Sequence, residues 1–476
     1  MRGREPAAGT ETGEGGMLVR MGLRLLLAAV AAVIALGGCA YDQTGIDALL
    51  KPPKLSDEQS RIYTALEASL GASAKGGIKL VYPRKGSYTS AFVKNNLDGE
   101  STAETVVFYE VANSATATIP IRINVLDQQQ NGEWISVSDV ATVAGASEVE
   151  KVSFVSIQQQ VYMVAGFNLA TTAEKAVVIY CFEEGMLKEK YSAKCANFEV
   201  LDLNGDRNPE LLLITSQQDE SLPNNRLVTA ELRRITSHGS ALLLSSVLLD
   251  PTVTAYRNLV GGKLADGRPA LYLDGLRGAN YYVTEVLACR GNRLENLMYQ
   301  GPEGENLVEQ TLRAGGVQPM DLNGDGVVEI PVRVLAPGYE DSEMHQQEYL
   351  TLWYVYREHA GRGELSLSST SYAAGTLNYL FILPKSWVDR VSMEYISTDR
   401  ELVLYEFTPE AGRGQDVLAI RAVDNADYQR EAAEKGYSLL KDYGQMMYAY
   451  KLGPGAAALG ATPDLVQANF ILQKLQ

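Results

Sequence analysis

The chain of 476 residues carries 42 basic and 58 acidic side chains, a net charge of −16, with 46% hydrophobic residues and four cysteines. A surface of that sign repels phosphate backbones, which excludes nucleic acid as a partner. A chain of that length can bury a core without disulfide staples.

The first 16 residues, MRGREPAAGTETGEGG, hold three glutamates and no apolar run, unlike a basic leader, so translation is expected to start at Met17 or Met21. Arg20 and Arg24 then precede a 12-residue apolar run, LLLAAVAAVIAL (25–36). That length lies within the roughly 7 to 15 residues of a secretory signal and falls short of the ~20 that span a bilayer. The LGGC that follows resembles the lipobox of bacterial lipoproteins. The resemblance implies cleavage before Cys39 and lipid on its sulfur, which would hold the chain at the cell membrane, facing the extracytoplasmic side. Residues 1–38 are therefore read as a signal peptide. Their loss, with four arginines and three glutamates, leaves a net charge of −17.

Residues 39–77 read as a tether containing Pro52 and Pro53, then a helix over SDEQSRIYTALEASLG. Ser56 caps its first turn with Gln59 reciprocating, Ile62, Ala65, Leu66 and Leu70 form the apolar stripe, and Gly71 supplies the stop. From 78 to 452 the pattern changes to short β-rich runs such as ETVVFYEV, KAVVIYCF, ELLLI and ELVLYEF, separated by Gly, Asn and Asp clusters. Residues 453–476 form a tail with a second helix, Thr462 as N-cap and Pro463 at its first position. Of the cysteines left after lipidation, Cys181 and Cys195 are the disulfide candidates by proximity, with connectivity open.

The runs repeat. DLNGDRNPE begins at Asp202 and DLNGDGVVE at Asp321; NLDGESTAE from Asn96 keeps the register, GKLADGRPALYL from Gly262 keeps Asp266, and SIQQQVYMV from Ser156 and EYISTDRELVLY from Glu394 are weaker matches. The period is about sixty residues, enough for a four-stranded antiparallel sheet per unit. Such sheets bury both faces by stacking around a ring, so the expected fold is an all-β propeller of six blades, or seven if the weak units divide, with short terminal helices. Closure would pair IKLVYP (78–83) with QMMYAYKL (445–452) in one blade.

The acidic corners have a hard-cation donor pattern. Asp321, Asn323 and Asp325 alternate, Gly324 accepts a turn that a Cβ resists, the Val327 carbonyl adds a donor and Glu329 closes the set; Asp202, Asn204, Asp206, the Asn208 carbonyl and Glu210 repeat it. An EF-hand is excluded, because its loop position 12 needs a glutamate and here holds Leu213 or Val332 inside β-rich runs. Asn-Gly turns carrying solvated acids are the alternative for a single loop; two matching loops at a multiple of the period count against it. Pro331, just past Glu329, suggests a bulge or edge strand there.

VLDLNGDRNPELLLI and PMDLNGDGVVEIPV resemble the FG-GAP/VCBS repeats of integrin-α-type β-propellers. The resemblance implies structural Ca²⁺ on the named residues, with Asn96, Asp98, Glu100 and Glu104 as a degenerate site and no metal in the unit at 262.

No GxSxG, P-loop or dinucleotide fingerprint occurs, and His238, His345 and His359 sit in no metal or nucleophile motif. GASEVEKVSF (145–154) reads as a blade turn, and Trp134, Trp353 and Trp387 are too few to argue a sugar platform. The expectation is therefore a noncatalytic calcium-stabilised scaffold, tethered to the membrane through Cys39 and presenting loops to a protein or glycan. The alternative is an extracytoplasmic polysaccharide lyase or hydrolase with its site on the propeller axis. A conserved cluster of charged and aromatic residues lining that axis would favour the enzyme, and a polar but unclustered funnel would favour binding.

Overall fold

In the computed structural model the described residues are 55–74, 76–111, 121–221, 225–304, 306–315, 317–374 and 377–472. The signal peptide, Cys39 and the proline tether lie outside them. The chain divides into a small unit ending at Arg61 and a large one starting at Ile62. A helix, Asp57–Leu70, crosses that boundary. Its first turn has the reciprocal cap that the sequence implies: the Ser56 amide donates to Gln59 Oε1 at 3.0 Å, and the Gln59 amide donates to Ser56 Oγ at 3.2 Å. Within the large unit Ile62 and Leu66 of the stripe are fully buried.

The large unit is a β-propeller of six antiparallel sheets of four or five strands. We number them blades 1 to 6 in chain order. Blade 2, for example, runs through Ala146–Ile157, Gln160–Leu169, Lys175–Glu183 and Met186–Cys195, each strand pairing with the next. Blade 3 repeats this with Asn197–Leu201, Glu210–Gln218, Arg226–Ile235 and Ala241–Leu248. Blade 4 begins with Ala255–Lys263 and Pro269–Arg277.

Stacking explains why the strands read as apolar runs rather than as alternation. In blade 3, Leu211 and Leu213 pack with Ile179 of blade 2, while Leu212 and Ile214 pack with Leu287 of blade 4. Successive side chains point to opposite faces of a strand, and here both faces are covered. The same relation joins blades 1 and 2 through Phe108 and Phe167, blades 4 and 5 through Tyr272 and Ile330, and blades 5 and 6 through Phe381 and Leu404. All three tryptophans are buried, Trp134 and Trp353 on strands of blades 1 and 5 and Trp387 in the turn between blades 5 and 6.

Three expectations are corrected. Ile78–Leu80 pairs with Glu104–Val111 in blade 1, whereas Met446–Leu452 pairs with Gly412–Asp424 in blade 6, so these end strands share no sheet. The reason is local. Two short pieces, Ile78–Leu80 and Phe92–Asn95, pair end to end along Glu104–Val111, and the ten or so residues between them leave the blade. Second, the sheets do not end at residue 452: Thr462 caps the helix Pro463–Asn469 as expected, and Phe470–Leu472 then adds a strand to blade 5. Third, Cys181 and Cys195 are free and buried; they face Lys188 and Lys175 at opposite ends of one hairpin, too far apart to bond. Pro331 lies on the inner side of blade 5, where the ladder beyond it is a single bridge between Met320 and Glu329, which matches the edge reading.

Candidate functional site

The repeated corners each join the innermost strand of a blade to the next strand. In blade 3 Asp202 Oδ1 accepts the amides of Gly205 and Asp206 at 2.8 and 3.1 Å, and its Oδ2 accepts that of Arg207 at 2.8 Å. In blade 5 Asp321 takes Gly324, Asp325 and Gly326 in the same way, at 2.8, 3.2 and 2.8 Å. Asp206 and Asp325 accept the amides of Asn208 and Val327. The glutamate that opens the next strand is buried in both, Glu210 at 1% and Glu329 at 2% exposure, and accepts an amide from Leu203 or Leu322. Burial, with Asp206 and Asp202 adding repulsion, pushes Glu210 up to about 7; Glu329 is raised for the same reasons.

Negative charge in these corners is only partly compensated. Asn204 Nδ2 donates to Glu210 Oε1 at 2.8 Å and to Asp206 Oδ2 at 3.2 Å, so an amide dipole stands among three carboxylates. Loop 96–104 folds alike, with the Gly99 amide on Asn96 Oδ1 at 2.7 Å and the Leu97 amide on Glu104 Oε2 at 2.6 Å, and Glu104 Oε1 is buried without a partner. The acids of the blade 4 and blade 6 corners each meet an arginine. In blade 4 the guanidinium of Arg268 lies on Asp266 and Glu358 at 2.8 and 3.2 Å; in blade 6 Arg421 meets Glu401 at 3.2 Å. Among the described residues no three His, Cys, Asp or Glu side chains group closely enough to hold a metal ion by themselves. An ion here would draw also on Asn204, Asn323 and the carbonyls of Asn208 and Val327. These donors are hard oxygens, which suit Ca²⁺.

The second constellation was not visible in any motif. The innermost strands of blades 2, 3 and 4, with Gln318 and the excursion at 84–89, wall a cavity of about 960 Å³. The excursion lies along the blade 2 strand, its Arg84 and Lys85 amides donating to Val149 O and Glu150 O at 3.1 and 2.8 Å. Charged groups converge there. Glu150 Oε1 receives Lys175 Nζ at 2.6 Å and Lys85 Nζ at 3.5 Å; Lys151 pairs with Glu199; Arg84 meets Glu148 at 2.9 Å. Glu150 Oε2 is buried and has no partner.

Two β-bulges place key members of this cluster. On Ala146–Ile157, Val149 faces Phe167 and Lys151 faces Gly166, leaving Glu150 as the extra residue. On Ala255–Lys263, Tyr256 faces Gly275 and Asn258 faces Asp274, leaving Arg257 extra. A bulge breaks the alternation of a strand and turns one side chain out of register. This is why GASEVEKVSF does not read as a strand although most of it is one. Arg257 is exposed and makes no ion pair among the described residues.

A continuous chain of hydrogen bonds ties the two bulges together. Lys175 Nζ, already on Glu150, donates to Asn197 Oδ1 at 3.1 Å, and Asn197 Nδ2 donates to Tyr256 O at 3.0 Å. The Tyr256 hydroxyl reaches the buried Glu285, and Asp274, facing Asn258, is paired with buried Arg313. The three histidines, by contrast, are exposed, as expected of residues outside any site.

No protein-family model and no curated protein matches the chain, so the likeness to FG-GAP/VCBS repeats stands on the loops alone. Among solved structures the chain is similar to an exotype rhamnogalacturonan lyase, at 12% identity over 71% of this chain and 73% of that one, with a TM-score of 0.29. It is similar to a rhamnogalacturonan lyase of Bacillus licheniformis, at 11% identity over 82% and 96%, TM-score 0.29. A putative 6-phosphogluconolactonase of Bacteroides fragilis matches at 10% identity over 73% and 95%, TM-score 0.27. The expectation of a noncatalytic chain is corrected at this point: these neighbours are enzymes by name, and that expectation is carried no further. Likeness this shallow identifies no reaction, so the case for a site rests on the cavity.

Proposed function

We propose that the chain is an extracytoplasmic enzyme acting on a polysaccharide, as a lyase or a hydrolase, in the axial cavity, and held at the membrane by lipid on Cys39. The observation that supports a reaction there is Glu150, a residue of the cavity wall whose carboxylate has one oxygen held by two lysines and the other buried without a partner. It stands beside a second lysine–carboxylate pair, Lys151 with Glu199. Charged groups cluster in the cavity with Phe198, and paired carboxylates and lysines are the groups that acid–base work on a glycan uses. The test is to incubate the purified chain with a panel of polysaccharides and follow new reducing ends and the ultraviolet absorbance of unsaturated products. Turnover is expected on at least one, reduced roughly 10²-fold or more in Glu150→Gln with the fold intact. No turnover on any polysaccharide would remove the reading.

In the same proposal Ca²⁺ holds the corners through Asp202, Asn204, Asp206, Asn208 and Glu210, and through Asp321, Asn323, Asp325, Val327 and Glu329. What supports it is the contrast between corners whose acid makes an ion pair with an arginine and these two, where no ion pair to a corner acid is present among the described residues. Calcium at a hundredfold excess over its Kd is expected to stabilise the chain by about 2.7 kcal/mol. Asp321→Ala or Asp202→Ala should lower the melting temperature more when Ca²⁺ is present than with chelator, the loss of the three amide hydrogen bonds on each carboxylate being common to both conditions. A melting temperature indifferent to chelator would take calcium out of the account.

A further inference from the structure

The cavity has the opposite electrostatic character to the chain that surrounds it. The molecule carries −16, yet in and around the cavity five cations, Arg84, Lys85, Lys151, Lys175 and Arg257, face three carboxylates, Glu148, Glu150 and Glu199. Four of the cations are engaged by those carboxylates. The fifth, Arg257, stands on its bulge with its guanidinium open to the cavity. Its position is not an accident of a loose loop. The residue before it is held through its carbonyl by Asn197 and through its hydroxyl by Glu285, and the residue after it faces Asp274 in the sheet.

An unpaired guanidinium is a planar fork suited to carboxylate or sulfate. The hydrogen-bond chain through Lys175 and Asn197 fixes the backbone of the Arg257 bulge against Glu150. We propose that the substrate is an acidic glycan, in which the anionic group of one sugar is taken by Arg257. This rests on the reading of the cavity as a polysaccharide site and adds the substrate class. In a cavity whose walls keep part of the solvent away, a hydrogen-bonded charge of this kind contributes about 10- to 100-fold in affinity.

The test is calorimetric titration of the full chain with an oligouronate, with the methyl ester of the same oligomer, which has its length and hydroxyls but no charge, and with a sulfated oligosaccharide. The acid is expected to bind at least tenfold more tightly than its ester. Arg257→Gln should abolish that preference while leaving ester binding and the near-ultraviolet circular dichroism unchanged. Arg430→Gln, on an exposed helix far along the chain, should leave the preference intact. Tighter binding of the sulfated ligand than of the uronate, with the same loss in Arg257→Gln, supports the proposal and names the anion. Equal binding of acid and ester overturns the acidic class but leaves a polysaccharide site standing. Failure of every glycan to bind or be turned over overturns both.

Discussion

Arg313→Met is expected to cost the fold about 3 to 5 kcal/mol, the loss typical when one partner of a buried ion pair is removed. Arg313 has no exposed side-chain surface and Asp274 only 2%. The guanidinium also donates to Val317 O at 3.0 Å, to Thr284 Oγ1 at 3.1 Å and to Thr311 O at 3.3 Å. Burial lowers the pKa of the arginine and raises that of the aspartate, which says that the site penalises both charges and tolerates them only together. Without Arg313 the aspartate would be left in a dry sheet with only the neutral Asn258 and Thr284 side chains, the latter at 3.4 Å. Removing both charges at once, in Arg313→Met with Asp274→Leu, should recover much of the loss, because an apolar pair of similar volume pays no desolvation penalty. Urea unfolding of the three chains measures this. A single variant within ~1 kcal/mol of the wild type would mean that the pair is wetter than its burial indicates. The effect should reach the cavity as well, since Asp274 faces Asn258 beside the Arg257 bulge.

The second large effect is a dependence of stability on pH that runs opposite to the usual carboxylate case. Glu285 is fully buried, and burial is the largest cause of a pKa raised from 4.5 to about 7; the Tyr256 hydroxyl, Asn296 Nδ2 at 2.5 Å and the Asp250 amide at 3.1 Å oppose it. The folded state therefore binds this proton more tightly than the unfolded chain does. The stability it contributes is fully present below pH 4.5 and is lost as pH rises through about 7, a change on the order of 3 kcal/mol. Other buried acids, Glu210 among them, add slopes of the same sign. The difference between the wild type and Glu285→Gln isolates the one group. Glutamine can give its amide to Tyr256 and keep its oxygen for Asn296 and Asp250, so the variant should unfold with a flatter pH profile and be the more stable chain at pH 8. Parallel profiles from pH 5 to pH 8 would show that Glu285 does not titrate in that window.

The corners and the cavity differ in how far they could be foreseen. A corner is a contiguous stretch: Asp202, Asn204, Asp206 and Glu210 have to lie close together in sequence, because a tight turn gathers its own neighbours. Their spacing is visible in one dimension, and so is the sixty-residue repeat that multiplies it. The helix caps at Ser56 and Thr462 were legible for the same reason, each needing only residues three positions apart. The missed closing strand is a different kind of error. Whether Ile78–Leu80 joins the first blade or the last depends on which edge is free, and a β-run carries no label for its partner.

Local order along the chain thus specified an all-β body, its period, its acidic turns and its capped ends, since each depends on interactions between residues a few positions apart. The cavity arose only when blades 2, 3 and 4 met. Lys85, Glu150, Glu199 and Arg257 span more than 170 positions and share no motif. Two bulges then undid the alternation that would otherwise have betrayed their strands. Charge that is scattered along the sequence becomes a site when stacked sheets bring their inner edges together and leave one guanidinium and one carboxylate oxygen unmet.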